Sequence, residues 1–362
     1  MSNEVQQHPD RLMLPGDDQI QDADLRYHDV LENTAFDLYG LYNPREEGGF
    51  KRMPDEIAKA VSSGVAYLYT NTAGGRIRFC TDSAYVAIRL TLPRITRFSH
   101  MTLIGTSGAD LYEDHPETDR SYHIGTFRPS ASMTEGYASI FRFGTRKRRY
   151  LTINLPLYND VSRVEIGLQE DAFVEGGMKY RNTLPVIFYG SSITQGACAS
   201  RPGLCYQNMI ARRLNMDYIN LGFSGCCIAE DTIVDYMADL PMSAFVSDYD
   251  HNTPNAEHLR NTHCKMYQKI REKNPDIPYI MISMCDFIHH WNQAILRRDV
   301  IFDTYRFARE QGDKNVYYID GESFFKGEWE DCCTMEGTHP NDLGFHFMAE
   351  KIGNTLGKLI LK

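Results

Sequence analysis

Four short stretches of this chain hold residues able to carry out acyl-transfer chemistry. The first, at 184–196, reads LPVIFYGSSITQG. An apolar strand stops at Gly190, and Ser191 and Ser192 follow. A strand that ends in Gly-x-Ser and hands over to a helix presents a hydroxyl at the carboxyl edge of a sheet, where α/β folds bind ligands. A serine there is a nucleophile if a base and an oxyanion hole accompany it. The second stretch, NLGFSG at 220–225, has glycines that leave backbone N–H groups open to an oxyanion. The third is DYDHN at 248–252. Its Asp-x-Asp-x-Asn spacing suggests calcium, but an EF-hand loop needs Gly at its sixth position and Glu at its twelfth, where this chain has Thr253 and Leu259. Asn252 can instead donate its side-chain amide, and an Asx cap for the next helix fits Asn255 better. The fourth, EGTHPNDLG at 336–344, puts Glu336 three residues before His339. A carboxylate at that spacing can hold one imidazole nitrogen while the other accepts a hydroxyl proton. Taken singly, each stretch also reads as an ordinary turn.

The elements that must position these residues fall into two textures. From 65 to 168, alternating runs rich in β-branched and aromatic residues predict strands at 65–70, 76–81, 86–92, 100–105, 122–127, 138–143, 149–155 and 162–168. With no amphipathic helix between them, they imply an antiparallel sandwich of about eight strands, jelly-roll-like, after an irregular opening segment. Beyond residue 182 the pattern alternates. Strands are expected at 186–189, 218–221, 244–249, 279–283 and 316–319, and helices at 202–214, 228–238, 256–273, 295–311 and 341–359. Pro340 is expected in the first turn of the last helix. This alternation means a parallel sheet with helices on both faces. Two domains are therefore expected, a sandwich over 1–182 and an α/β domain over 183–362, and all four stretches fall at strand ends of the second.

Composition narrows the function classes. Hydrophobic residues make up 42% and charged residues 24% of 362, the balance of a soluble globular protein. A formal net charge of −10 argues against nucleic acid or an anionic membrane as partner. The opening residues MSNEVQQHPDRLMLPGDD show no secretory signal, and no apolar run reaches the length of a membrane helix. Nine cysteines, two pairs of them adjacent (Cys226-Cys227 and Cys332-Cys333), point to free thiols and a cytoplasmic protein, although a mature form without its leader would look the same. The cysteines and His289-His290 lack metal-ligand spacings, so neither metal nor cofactor is expected.

Together the four stretches resemble the SGNH, or GDSL-type, hydrolase superfamily, whose blocks supply Ser, Gly, Asn and His in that chain order. The resemblance implies a flavodoxin-like catalytic domain. It makes Ser192 the nucleophile, Gly225 and Asn252 oxyanion-hole residues beside the Ser192 N–H, His339 the base and Glu336 its orienting carboxylate. Three positions depart from the family pattern: Ser191 replaces the aspartate of Gly-Asp-Ser, Asp250-His-Asn252-Thr replaces Gly-x-Asn-Asp, and Glu336 replaces an aspartate. The GADLY run at 108–112 matches the Gly-x-Asp-Leu-Tyr motif of a subset with an N-terminal β-sandwich.

The implied activity is an esterase removing acyl groups, O-acetyl above all, from a sugar, oligosaccharide or similar small polar ester. An acyltransferase using the same serine and a non-catalytic glycan-binding protein are the alternatives. Arg201 binds a polar substrate group or forms an interdomain ion pair. Trp291 stacks on a sugar or belongs to the core. Asp110 and Tyr112 reach the site from the sandwich or fix the domain interface. Oligomeric state is not legible.

Overall fold

The computed structural model describes residue 20 and residues 22–360. The acidic opening run at 1–18, where no leader is expected, lies outside the described residues. Two antiparallel sheets face each other. One has four strands in the order Leu25–Asp29, Arg163–Gln169, Tyr85–Thr91, Gly136–Arg142; the other orders Val174–Gly176, Arg76–Thr81, Arg149–Asn154, Ala109–His115, Arg120–Phe127, with Asp37–Tyr39 also on Arg76–Thr81. Ile77, Phe79, Ile88, Leu111, Ile153 and Ile166 fill the space between them. Inward and outward residues alternate along the strands, as sandwich packing requires, with a break where the pairing of Ala109–His115 and Arg120–Phe127 shifts register between Leu111 and Tyr112.

Two expected strands are helices. Residues 65–70 overlap Ser63–Leu68, where the Ser62 hydroxyl accepts the Val65 N–H at 3.2 Å. Residues 100–105 overlap Leu103–Ser107, capped by Thr102 onto the Gly105 N–H at 2.9 Å. In both, short-range apolar alternation imitates a strand, and a hydroxyl cap three residues ahead of a free N–H decides for a helix. The opening segment is also less irregular than expected, since it supplies Leu25–Asp29, Asp37–Tyr39 and the helix Asp55–Val61.

The second layer is a five-stranded parallel sheet in the order Tyr218–Gly222, Val186–Gly190, Ala244–Asp248, Tyr279–Ile282, Val316–Ile319. Val186 and Phe188 point to one face, against Ile210, Phe345, Met348 and Ile352 of the helices Tyr206–Leu214 and Asp342–Ile360. Ile187 and Tyr189 point to the other, against Ile233, Leu259 and Met266 of Asp231–Asp239 and Ala256–Lys273. Met53, Ala58, Val65 and Leu68 join that same core, so part of the early chain covers the parallel sheet rather than the sandwich. In this strand order the winding reverses between Val186–Gly190 and Ala244–Asp248, and the crevice at such a switch point is where doubly wound folds bind ligands. No helix among the described residues is long and apolar enough to cross a membrane.

Candidate active site

The first of the switch-point strands delivers Ser192. The strand ends at Gly190, in register with Asp248 of its parallel neighbour. A Cβ on Gly190 would run into the Asp248 carbonyl oxygen and Thr194 Oγ1, so only glycine lets the chain turn this closely. The Ser191 N–H donates to that same Asp248 oxygen at 3.1 Å. A one-turn helix, Ser192–Gln195, comes next, and the Ser191 hydroxyl caps it by accepting the Ile193 N–H at 3.2 Å. Ser191 is thus a structural cap, and Ser192 opens the turn with a backbone N–H that has no intrahelical acceptor. The Asp248 carboxyl accepts the Thr194 hydroxyl at 3.2 Å, and burial pushes its pKa up to about 7.

His339 lies on the loop before the last helix. Its Nε2 is 2.8 Å from Ser192 Oγ, and its Nδ1 is 2.6 Å from Glu336 Oε1. The same oxygen accepts the His339 backbone N–H at 3.0 Å. Burial raises the Glu336 pKa, but these two hydrogen bonds outweigh it and hold the carboxyl below its ordinary value. An ionised carboxylate only accepts, so Nδ1 carries the proton and Nε2 turns its lone pair to the serine hydroxyl. The loop is pinned where the Cys198 N–H meets the Pro340 oxygen at 2.9 Å and where Asp342 accepts the Ser200 N–H and hydroxyl at 2.8 and 2.5 Å. Pro340 does not start the helix. Asn341 caps it, its Oδ1 accepting from Leu343 and Gly344 at 3.0 and 3.2 Å.

Gly225 and Asn252 come from the ends of the two strands that flank Val186–Gly190. Gly225 sits in a tight turn closed by Cys226 N–H to Phe223 O at 3.0 Å, in the left-handed region with φ +72°. Gln195 fixes that turn to the serine loop, accepting the Ser224 N–H at 3.0 Å. Asn252 Oδ1 accepts the Cys227 N–H at 3.3 Å. This orients the amide and leaves its N–H₂ as the free donor. Asn255, as expected, caps Ala256–Lys273 by accepting from His258 at 2.8 Å. A hydroxyl, an imidazole and a carboxylate in hydrogen-bonded series are the parts needed for nucleophilic attack on an ester carbonyl.

A buried ionic cluster, invisible as a motif, lies next to Asn252. His251 Nε2 is 2.7 Å from Asp286 Oδ1 and its Nδ1 is 3.5 Å from Asp250 Oδ1. Burial opposes the imidazolium, but the charge and hydrogen bond of Asp286, with the Asp250 carboxylate nearby, raise the His251 pKa well above its ordinary value. Asp286 also approaches His290 Nε2 at 3.4 Å, and His290 contacts the Thr338 hydroxyl at 3.1 Å. Asp286→Asn takes from a buried imidazolium the carboxylate that it hydrogen-bonds, and the variant is expected to lose about 3–5 kcal/mol of stability. Urea unfolding at neutral pH measures this. The raised His251 pKa means that the pair's contribution fades as pH rises through the folded-state pKa, so the gap between wild type and variant narrows there. Two groups bring three ligand atoms within 4.8 Å of one another, His100/Cys198/His339 and His251/Cys285/Asp286, with Asp248/Asp250/His251 adjoining the second. In each, the central imidazole already has partners: His339 has Ser192 and Glu336, and His251 has Asp286.

The remaining expected site residues go elsewhere. Arg201 donates to Asp110 Oδ2 at 2.7 Å and to the Tyr112 hydroxyl. Asp110 also accepts the Gly203 N–H at 2.8 Å and the Asn154 amide at 2.8 Å. Arg201, Asp110 and Tyr112 therefore bond across the sandwich–α/β interface, the second of the two roles their positions allowed. Trp291 is 53% exposed and packs edge-on against Phe287 at 5.8 Å, so it is not a core residue. His100, which no spacing marked, stands beside the site from the sandwich, its ring 5.4 Å from that of His339. Tyr158 donates its hydroxyl to the Ser192 carbonyl oxygen at 3.1 Å. A hollow of about 560 Å³ lined by Glu230, Asp235, His258 and Lys269 holds neither Ser192 nor His339.

Comparison with known proteins places this geometry. Residues 183–357 match the GDSL-like lipase/acylhydrolase family model, and residues 25–174 match the model of the GxDLY N-terminus of SGNH-hydrolase-type esterases. A protein from Bacteroides ovatus described as a GDSL-like lipase shares the fold at TM-score 0.82 and 26% identity, over 92% of this chain and 97% of that one. The salicylyl-acyltransferase SsfX3 of a tetracycline biosynthetic pathway superposes at TM-score 0.72 with 20% identity, over 94% and 99%. A family two carbohydrate esterase from Clostridium thermocellum superposes at 0.61 with 12% identity, over 90% and 98%. A search of curated proteins finds no match. With both layers matched in chain order, this chain belongs to the GDSL-like lipase/acylhydrolases of the SGNH type and is an esterase/acylhydrolase with the GxDLY β-sandwich at its N-terminal side.

Proposed function

We propose that the chain is a serine esterase that removes acyl groups, O-acetyl above all, from a carbohydrate or a similar small polar alcohol through an acyl-serine intermediate. The observation that carries this reading is the relay at the switch point: Ser192 Oγ to His339 Nε2 at 2.8 Å, and His339 Nδ1 to Glu336 at 2.6 Å. Ser192 Oγ bonds to the ester carbonyl carbon as its proton passes to Nε2. The N–H groups of Ser192 and Gly225 and the Asn252 amide receive the oxyanion. The imidazolium then protonates the departing alkoxide as the ester C–O bond breaks. Water adds to the acyl-serine, His339 takes its proton, and the serine leaves with that proton as the acid is released.

Hydrolysis is favoured over transfer to an alcohol by the base's access to solvent. The side chains of His339 and Glu336 are 20% and 39% exposed, whereas transfer needs a site that excludes water. A sugar as the alcohol side is supported by the fold shared with carbohydrate esterases and by the exposed Trp291, an amphipathic ring suited to stacking. Acetate release from acetylated mannan, xylan and sialic acid oligomers, run beside p-nitrophenyl acetate, tests the reading. Release from at least one glycan is expected. Turnover of the nitrophenyl ester with none of the glycans removes the carbohydrate assignment and keeps the esterase, and acetyl transfer to added alcohol in place of acetate release removes hydrolysis.

A further inference from the structure

The interface between the sandwich and the α/β unit holds a second polar site, separate from the serine relay. Arg76 and Arg78 lie two apart on the Arg76–Thr81 strand, so their side chains share a face. Both are 1% exposed. Arg76 Nη2 bonds to Asp217 at 2.5 Å and to the Tyr218 carbonyl at 3.0 Å. Arg78 bonds to Asp114 at 3.0 Å and to Asn215 Oδ1 at 3.3 Å. That leaves Arg76 Nε and Nη1 and Arg78 Nε buried without a hydrogen-bond partner. The guanidinium faces are covered, Arg76 over Tyr218 at 3.9 Å and Arg78 over Tyr180 at 4.2 Å, but a ring beneath the plane does not satisfy N–H groups that point along it. Both arginines line one cavity with Arg212, Tyr180 and Asn208, and its free space is about 20 Å³. A water-sized body needs roughly 10–15 Å³ on this measure.

Charge selects the occupant. Arg212 also faces the cavity and donates to the Gly203 carbonyl oxygen. Among the described residues, no carboxylate lies within ion-pair distance of it. Three guanidiniums thus face two carboxylates, Asp114 and Asp217, leaving one positive charge at a cavity in which Arg76 and Arg78 are buried and Arg212 is half-buried. Orphaned buried donors beside uncompensated charge call for an anion, since a water satisfies the donors and leaves the charge.

We propose that this cavity is a binding site for one small monovalent anion of halide size, held by Arg76 and Arg78 and tying the sandwich to the α/β unit. The anion bonds to the N–H groups that the arginines' protein partners leave free, and it binds the folded interface alone. Stability therefore rises with anion concentration and saturates.

Crystals of the full chain soaked in sodium bromide, with anomalous data at the bromine edge, test the site together with thermal melts in bromide and in gluconate at matched ionic strength. The expected result is a bromide peak within hydrogen-bond reach of Arg76 Nε and Nη1 and Arg78 Nε, together with a saturable rise of Tm in bromide beyond that in gluconate. Arg212→Gln removes the excess charge without cutting either buried pair, and it should abolish both signals. A water with no anomalous signal overturns the proposal, as do equal melts in the two salts. A peak without a Tm response means binding at crystal concentration only and also overturns it. Undiminished binding in Arg212→Gln overturns the charge argument on which it rests.

Discussion

Ser192→Ala is expected to cut turnover of p-nitrophenyl acetate by roughly 10⁵–10⁶-fold, down to what binding and oxyanion stabilisation alone provide. The substitution removes the oxygen that His339 Nε2 meets in the relay. It leaves the turn intact, because the cap is the Ser191 hydroxyl and the ties to Tyr158 and Gly196 use the Ser192 carbonyl oxygen. The thermal midpoint should therefore stay near that of the wild type, which separates loss of the nucleophile from loss of the fold. Steady-state kinetics and a melting curve on the same preparation check both halves. His339→Ala should fall to a similar floor, and the double variant should cost little more than either single one, since the two groups act as a unit.

Asn252→Ala is expected to lower kcat by about 10²–10³-fold with a small change in KM, the signature of a donor that acts in the transition state. Asn252→Asp is the sharper version. The retained Oδ1 still accepts the Cys227 N–H, so the loop is held, but a carboxylate oxygen replaces the amide donor and faces the developing oxyanion with like charge. Activity in Asn252→Asp should be no higher than in Asn252→Ala. Comparable kcat values for Asn252→Asp and wild type would remove Asn252 from the oxyanion hole.

The parts of this site that were legible in the sequence share a physical origin. A parallel strand buried on both faces reads as a short apolar run, and the turn after it lies at the sheet's carboxyl edge. Ser192, Gly225 and Asn252 each come just after such a run. Glu336 and His339 were legible because a three-residue spacing on a loop brings carboxylate and imidazole together locally. The parts that were not legible depend on long-range packing. His100 reaches His339 because Thr102 caps a short helix and also donates to the Ser200 carbonyl oxygen at 2.7 Å, a contact across 98 residues that no local pattern encodes. Asp286 meets His251 across 35 residues. The helices Ser63–Leu68 and Leu103–Ser107 are one or two turns long, too short for a 3.6-residue period to stand out from apolar alternation. Arg201 illustrates a different limit. Its position permitted a substrate or an interface role, and the choice depended on Asp110, a partner 91 residues away on a strand that the alternation left unassigned.

The most direct measurement is of the covalent intermediate. Protein mixed with p-nitrophenyl acetate, quenched in acid during turnover and digested for peptide mass spectrometry should carry one acetyl group, on Ser192, and none in Ser192→Ala. An acetyl group on another residue, or sustained turnover by a protein in which Ser192 is never acylated, would contradict the account.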